Sequence, residues 1–318
     1  MNPIRVAVVG AGAFGRNHIR VLNECPRAKL AGVVDIQRER AEAAAAQFGC
    51  PAHTDCSELK GAVDAAIVAV PTAAHADVGC TLLEAGIDVL VEKPIAPDRE
   101  SALRLIAAAD RNGRVLQVGH LERFNPAVIA LKQSLTYPLF FEVHRLSLFS
   151  PRSLDIDVVL DLMIHDLDIV LDVVGAEPAE VRAAGISILS EKVDIANVRL
   201  AFPTGCIANL TASRVSTERV RKLRLFQPHQ YISLDYSRQE AAAFCVGGDQ
   251  KIEFRMLTVE KNEPLKLELE HFLECVETRR TPLAPGRDGL RALDAALAVL
   301  AKIEEHTHLV GQHLKSAL

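Results

Sequence analysis

Apolar residues in the first part of the chain fall into short, nearly unbroken runs. Ile4–Val9, Leu30–Val34, Ala65–Val70, Asp88–Val91 and Val115–Val118 are rich in Val, Ile, Leu and Ala, the pattern of strands buried on both faces. Between them the period becomes helical: RNHIRVLNE after Gly15, the alanine-rich Arg38–Phe48, His75–Ala85 and Arg99–Asn112. The last three stop at Gly49, Gly86 and Gly113, the residue type that best ends a helix. Strictly alternating strand and helix predicts an α/β fold with a doubly wound parallel sheet over residues 1–120.

The pattern changes after residue 121. Pro126 sits where a first helical turn tolerates proline, behind Arg123-Phe124-Asn125. Asp157–Val174 reads as a very apolar helix ending at Gly175. Strand candidates follow one another at Phe140–Leu148, Val181–Ser187, Ala196–Phe202, Cys206–Ser213, Val220–Phe226, Tyr231–Asp235, Ala241–Val246 and Lys251–Leu257. They predict an α+β domain over 121–318 with a mostly antiparallel sheet. Leu265–Thr278 and Gly289–Glu305 close the chain as helices.

With 318 residues, 49% hydrophobic and 24% charged, the chain has ample material for two cores. A formal charge of −5 argues against general nucleic-acid binding. No apolar run reaches membrane-spanning length, and the first residues enter a strand at once, so no signal peptide is expected. Seven scattered cysteines, without a CxxC pair, suit a reducing cytoplasm and give no reason to expect a metal site.

Candidate chemistry begins where the first strand ends. Gly10-Ala11-Gly12-Ala13-Phe14-Gly15 is a GxGxxG turn between strand and helix, the setting that gives the motif its meaning. Gly10 permits the turn, Gly12 lets a pyrophosphate approach the backbone, and Gly15 lets helix and strand close up. The helix N-terminus then faces the phosphates. The second strand ends in Asp35, twenty residues beyond Gly15, where an acid accepts ribose hydroxyls and repels a 2′-phosphate. NAD is therefore favoured over NADP, although Arg38 and Arg40 lie close by. Ligands in such sheets bind beyond the carboxyl ends of the strands, a border that holds Val70, Pro71, Thr72, His75, Glu92, Lys93, Gly119 and His120.

A lysine at that border can exchange a proton with a substrate hydroxyl; the competing reading of Lys93 is a surface residue before a proline turn. In the apolar helix, Asp157, Asp161, His165, Asp168 and Asp172 are spaced four, four, three and four apart and share one face. Asp161 lies one turn before His165 and can orient its imidazole as a general base; a solvent-facing stripe or a carboxylate–histidine metal cluster are the alternatives. Arg214, Arg219, Arg221, Lys222 and Arg224 can present charge to a phosphate, or form an exposed sheet face or oligomer contact. Arg123 and Asn125 can reach substrate hydroxyls, or serve as surface charge and helix cap.

Taken in order, VVGAGAFGRNH, Asp35, VPTAAH at 70–75, EKP at 92–94, VGHLERFNP at 118–126, Asp161/His165 and the closing HFLECVETRRTPLAPGRDGLRAL resemble the Gfo/Idh/MocA oxidoreductase family over essentially the whole chain. The resemblance implies a Rossmann domain followed by an α+β domain with an open sheet, which often packs against another subunit to give homodimers or homotetramers. It implies Lys93 and His165 beside the reacting carbinol, with Asp161 as supporting acid; Arg123, Asn125, Asp168, Arg214 and Arg221 are the residues expected to bind the substrate. Met163 and His120 stand where many members have glycine and tyrosine. Within the family, ERFNP, DLMIHDLD and TASRVSTERVRKLRLF look most like bacterial sugar-nucleotide 3-dehydrogenases, which oxidise C3 of a UDP-N-acetylglucosamine-type sugar. The alternatives are a dehydrogenase of a free sugar, inositol or small carbonyl compound, and a non-catalytic NAD-binding regulator.

Overall fold

The computed structural model describes residues 3–150, 156–247 and 251–317. The chain forms two units. The first runs to Phe124 and takes in Asn262–Leu290; the second comprises Asn125–Lys261 and continues from Arg291.

In the first unit, β1 (Ile4–Val9), β2 (Ala28–Val34), β3 (Ala52–His53), β4 (Ala65–Val68), β5 (Asp88–Glu92) and β6 (Leu116–Gly119) form a parallel sheet in the order β3-β2-β1-β4-β5-β6. Helices α1 (Ala13–Glu24), α2 (Arg38–Phe48), α3 (His75–Glu84) and α4 (Arg99–Asn112) connect them. The order reverses at β1, so the ends of β1 and β4 form the switch point at which doubly wound sheets bind ligands. Val6, Val8, Val33, Ile67 and Leu90 pack with Ile19 and Leu22 of α1.

The same core takes in Leu269, Phe272, Leu273 and Val276, from the returning helix Pro264–Thr278, which is α7 in chain order. The reading of 121–318 as one continuous domain is thereby corrected. The apolar face of α7 belongs to the first unit's core. Fully buried Asp88 secures that return: both its carboxylate oxygens lie 2.8 Å from Arg279 Nη1 at the end of α7.

In the second unit, β7 (Phe140–Leu148), β8 (Glu180–Ile186), β9 (Ile195–Ala201), β10 (Ile207–Ser216), β11 (Val220–Gln227), β12 (Gln230–Asp235), β13 (Glu240–Val246) and β14 (Ile252–Met256) form one eight-stranded sheet, ordered β14-β13-β12-β11-β7-β10-β9-β8. All its neighbours pair antiparallel except β10 with β7. The pleat sends Phe141, Val143, Leu223, Leu225, Ile232 and Leu234 into a core shared with α5 (Pro126–Gln133), α6 (Ile164–Val174) and Ala296, Val299 and Ile303 of α8 (Gly286–Ala317). The other face carries an aromatic ladder, Phe140–Phe226–Tyr231–Phe244–Phe254, with ring centroids 4.8–5.7 Å apart.

Two expected elements differ. The stretch expected as one helix from Asp157 is regular only from Ile164; Val159–Met163 is a π turn, whose wider winding breaks the 3.6-residue stripe. The last helix begins at Gly286 and runs to Ala317, longer than its periodic core suggests.

Buried charges lock the second unit together. Arg145 makes two bonds to Asp166 on α6, at 2.6 and 2.9 Å, and its guanidinium lies 5.0 Å from the Tyr236 ring centroid. Fully buried Asp194 accepts the amides of Ile188, Leu189 and Ser190 and the Ser190 hydroxyl, and lies 3.3 Å from Arg214. Burial alone would raise the Asp194 carboxyl, but these donors hold it down at about 2, against an ordinary value of 3.8. A depressed carboxylate contributes stability above its unfolded pKa and loses that contribution as pH falls through its folded one. Asp194→Asn is expected to lower stability at pH 7 by about 2–3 kcal/mol, with the deficit shrinking between pH 3.8 and about 2. Urea melts across that window check it.

Candidate active site

The glycine loop is built on close approach. Gly10 has φ +100°, and a Cβ there would lie 2.4 Å from the Ala69 carbonyl oxygen. A Cβ on Gly15 would lie 1.7 Å from the Gly10 carbonyl oxygen, so no other residue fits. Gly12 is different: nothing lies within 4 Å of its added Cβ. It is the N-cap of α1, without a side-chain cap and without an acid in the first turn. Open backbone amides at a helix N-terminus suit a pyrophosphate, and Ala13 and Phe14 belong to that turn.

Asp35 stands at the end of β2 with each oxygen tied to the backbone. Oδ2 accepts the Ala11 amide and Oδ1 the Gln37 amide, both at 2.9 Å. A carboxylate has lone pairs beyond these two bonds, so it can also accept ribose hydroxyls. Its charge opposes a 2′-phosphate. Arg38 is exposed, with Glu42 3.7 Å away.

At the ends of β4 and β5, Val70, Thr72 and Lys93 are half-buried and Pro71 is exposed. His75 is buried, with Nε2 2.9 Å from the Val70 carbonyl oxygen and Nδ1 2.9 Å from that of Pro94. Both ring nitrogens face main-chain oxygens, so His75 braces the cofactor border instead of offering its ring to a ligand, and burial lowers its pKa. The Lys93–Pro94 peptide is cis. Glu92 Oε1 lies 2.6 Å from His18 Nε2 on α1, and Oε2 accepts the Lys93 amide at 3.3 Å. His18 is a site neighbour that sequence reasoning missed, although it lies within the GRNH segment after the glycine turn. Gly119 pairs with Glu92, and the next residue, His120, is buried.

In the second unit the expected stripe divides. Asp157 Oδ1 accepts the Val193 amide at 2.9 Å, and Asp172 bonds Lys132 at 2.7 Å. Asp161 and His165 are half-buried in a stretch that is otherwise mostly buried, while Asp168 is only 1% exposed. The Arg145–Asp166 pair, absent from the sequence reading, clamps α6 one residue beyond His165. Arg145 alternates with Phe141 and Val143 on β7, but a lone arginine in a strand does not reveal its partner.

Other expected substrate residues have structural work. Arg123, buried, donates to the Leu283 carbonyl and to Asp288, both at 2.7 Å. Asn125 caps α5 through the Ala127 amide and donates to the Tyr236 carbonyl. Arg214, also buried, serves Asp194 and the carbonyls of Ile156 and Val193. The basic cluster is not a single patch: Arg221 shares the inward face of β11 with Leu223 and Leu225, whereas Lys222 and Arg224 point outward. Among the described residues, no group of three or more His, Cys, Asp or Glu is arranged to hold a metal ion.

A parallel sheet, an uncapped glycine loop at its switch point and an acid at the end of β2 define an NAD-binding Rossmann oxidoreductase. Its N-terminal family profile, the oxidoreductase family with an NAD-binding Rossmann fold, matches residues 4–120, and the GFO/IDH/MocA C-terminal domain matches 145–228. The chain belongs to the Gfo/Idh/MocA family. It is 38% identical over 307 residues to the UDP-N-acetylglucosamine 3-dehydrogenase of Acidithiobacillus ferrooxidans, covering 95% of this chain and 97% of that one. A solved structure of that enzyme superposes with a TM-score of 0.91 at 37% identity, over 96% of this chain and 99% of the other. The scyllo-inositol 2-dehydrogenase (NAD(+)) of Bacillus subtilis is 27% identical, over 93% and 92%.

Replacing Asp35 tests the cradle. Asp35→Ala removes the acceptor for the Ala11 amide and the charge facing the ribose. Bonds to charged groups contribute about 1.5–3 kcal/mol each, so NADH binding should weaken roughly tenfold to a hundredfold. NADPH binding should weaken much less. Fluorescence titration with both nucleotides measures the difference.

Proposed function

We infer that this protein is an NAD-dependent dehydrogenase acting on the C3 hydroxyl of a UDP-N-acetylglucosamine-type nucleotide sugar. The observation that carries the reading is the open Gly12 cradle beside Asp35, on a chain similar from end to end to the A. ferrooxidans enzyme. Bound NAD supplies the acceptor for the hydrogen and electron pair that leave the carbinol carbon. The amides of Ala13 and Phe14 hold the pyrophosphate, and Asp35 holds the adenosine ribose. Lys93 and His165 are assigned to the carbinol proton, with Asp161 orienting the imidazole one turn away. Arg221 is assigned to the diphosphate. Arg123, Asn125 and Arg214 then act by shaping the walls, as their burial and hydrogen bonds support, together with buried Asp168.

We assign the protein to a reducing cytoplasm, on its seven unbridged cysteines. No helix among the described residues is long and apolar enough to cross a membrane. We also assign it a homo-oligomeric state, dimer or tetramer, through the outer face of the eight-stranded sheet. The support is the aromatic ladder, with Phe254 59% and neighbouring Ile252 74% exposed. Phe226→Asp with Phe254→Asp is expected to yield monomers in native mass spectrometry; unchanged oligomers would move the interface elsewhere.

The activity test is NADH formation from UDP-N-acetylglucosamine, free N-acetylglucosamine and inositols. Turnover of the UDP-sugar alone is expected. Lys93→Ala should lower kcat by about 10²–10⁴-fold, the usual worth of a positioned acid–base group, with little change in NADH affinity. Turnover of inositol in preference to the UDP-sugar would overturn the substrate assignment, and full turnover by Lys93→Ala would remove that residue from the chemistry.

A further inference from the structure

The first unit contains a cavity of about 420 Å³ that none of the assigned site residues lines. Small-molecule pockets typically span about 300–1,000 Å³. Its walls come from the last turns of α4, the start of β6, and the stretch Arg279–Arg287 that ends α7 and opens α8. Because β6 runs parallel to β5, its start lies at the end of the sheet opposite Gly119 and the cofactor border. The cavity is therefore separate from the site described above.

The wall is strongly cationic. Arg114, Arg279, Arg280 and Arg287 line it, with one carboxylate, Asp110. Each guanidinium is held by bonds that leave N–H donors over. Arg279 Nη1 meets both oxygens of buried Asp88 at 2.8 Å. Arg280 Nη2 lies 2.7 Å from Glu274 and 3.0 Å from His271 Nδ1, and Arg287 Nη2 lies 3.1 Å from Asp110. Half-buried Arg114 has no carboxylate partner among the described residues: its Nε and Nη1 donate to the main-chain carbonyls of Asn112 and Gly86, at 3.1 and 3.0 Å. An arginine has five donors, so none of the four is exhausted. With Asp88 and Glu274 counted beside Asp110, three carboxylates meet four guanidiniums, and one positive charge remains for a ligand. Ile106, Leu116 and Pro285 add an apolar wall.

We propose that this cavity binds a small phosphate ester of sugar-phosphate size, its phosphoryl oxygens on the guanidinium donors not already engaged and its organic body against the apolar wall. Guanidinium forks match phosphate oxygens bidentately. Arginines already pinned by Asp88, Glu274 and main-chain carbonyls lose little further freedom when an anion arrives. A bare ion would leave most of the cavity and its apolar wall unused.

The full-length protein, saturated with NADH so that the glycine loop is occupied, is titrated by calorimetry with glucose 6-phosphate, orthophosphate and glucuronate. Glucose 6-phosphate is expected to bind, more weakly as salt rises. Orthophosphate, which lacks the organic body, and glucuronate, which carries a carboxylate in place of the phosphate, should bind about tenfold more weakly or less. Arg114→Ala and Arg280→Ala should each lower the affinity for glucose 6-phosphate about tenfold, the worth of a hydrogen bond to a charged group. Arg287→Ala should cost less, since that side chain is 76% exposed. NADH affinity should stay at the wild-type value in all three, which reports an intact first unit. If Arg280→Ala, which also loses its bonds to α7, does not fold, Arg114→Ala and Arg287→Glu carry the test. Absence of glucose 6-phosphate binding, or the same affinity in wild type and variants, overturns the proposal. Orthophosphate or glucuronate binding as tightly as glucose 6-phosphate overturns the assignment to a phosphate ester.

Discussion

The first unit depends on a contact in which there is room only for a hydrogen atom. Gly15 meets the carbonyl oxygen of Gly10 so closely that a Cβ would sit 1.7 Å from it. That approach sets the depth of α1 against β1, and with it the register of everything α1 carries. One turn on, His18 arrives at Glu92, whose other oxygen accepts the Lys93 amide. His75 meets the same turn from the other side, at the Pro94 carbonyl. The glycine loop therefore prepares more than a phosphate cradle. It lies at the start of a run of hydrogen bonds that ends at the lysine assigned to chemistry, and pre-organisation of this kind is what makes a site effective.

In the second unit the pleat has the comparable role. Alternation assigns each residue of β7 and β11 to one face, so Arg145 and Arg221 go inward while Glu142, Lys222 and Arg224 go outward. An inward arginine must be satisfied, because an unpaired buried charge is costly. Asp166 satisfies Arg145 and thereby holds α6 to the sheet, which fixes the backbone next to His165. The outward face carries aromatic rings across five strands.

Local signals were legible and long-range ones were not. The glycine loop, Asp35 and the strand–helix rhythm show in sequence because each rests on residues a few positions apart. The return of α7 to the first unit did not show, since an apolar helical face does not name the sheet it will cover. The stripe from Asp157 to Asp172 assumed an unbroken α-helix; the π turn at Val159–Met163 shifts its phase, and no residue type announces such a turn. Arg214 and Arg123 looked available for a substrate because composition records charge without partners. Their acceptors, Asp194 and Asp288 with several carbonyls, lie 20 to 165 positions away in sequence.

These partnerships also show why Glu268 stands apart. Three buried acids of the two units are placed where donors converge: Asp88 on Arg279 and the Val115 amide, Asp166 on Arg145, Asp194 on three amides and a hydroxyl. Each joins two segments, so its charge helps to hold the fold. Glu268 has no donor on its carboxyl among the described residues and lies near another acid. For packing alone, a leucine of similar size would fill its place without the desolvation cost.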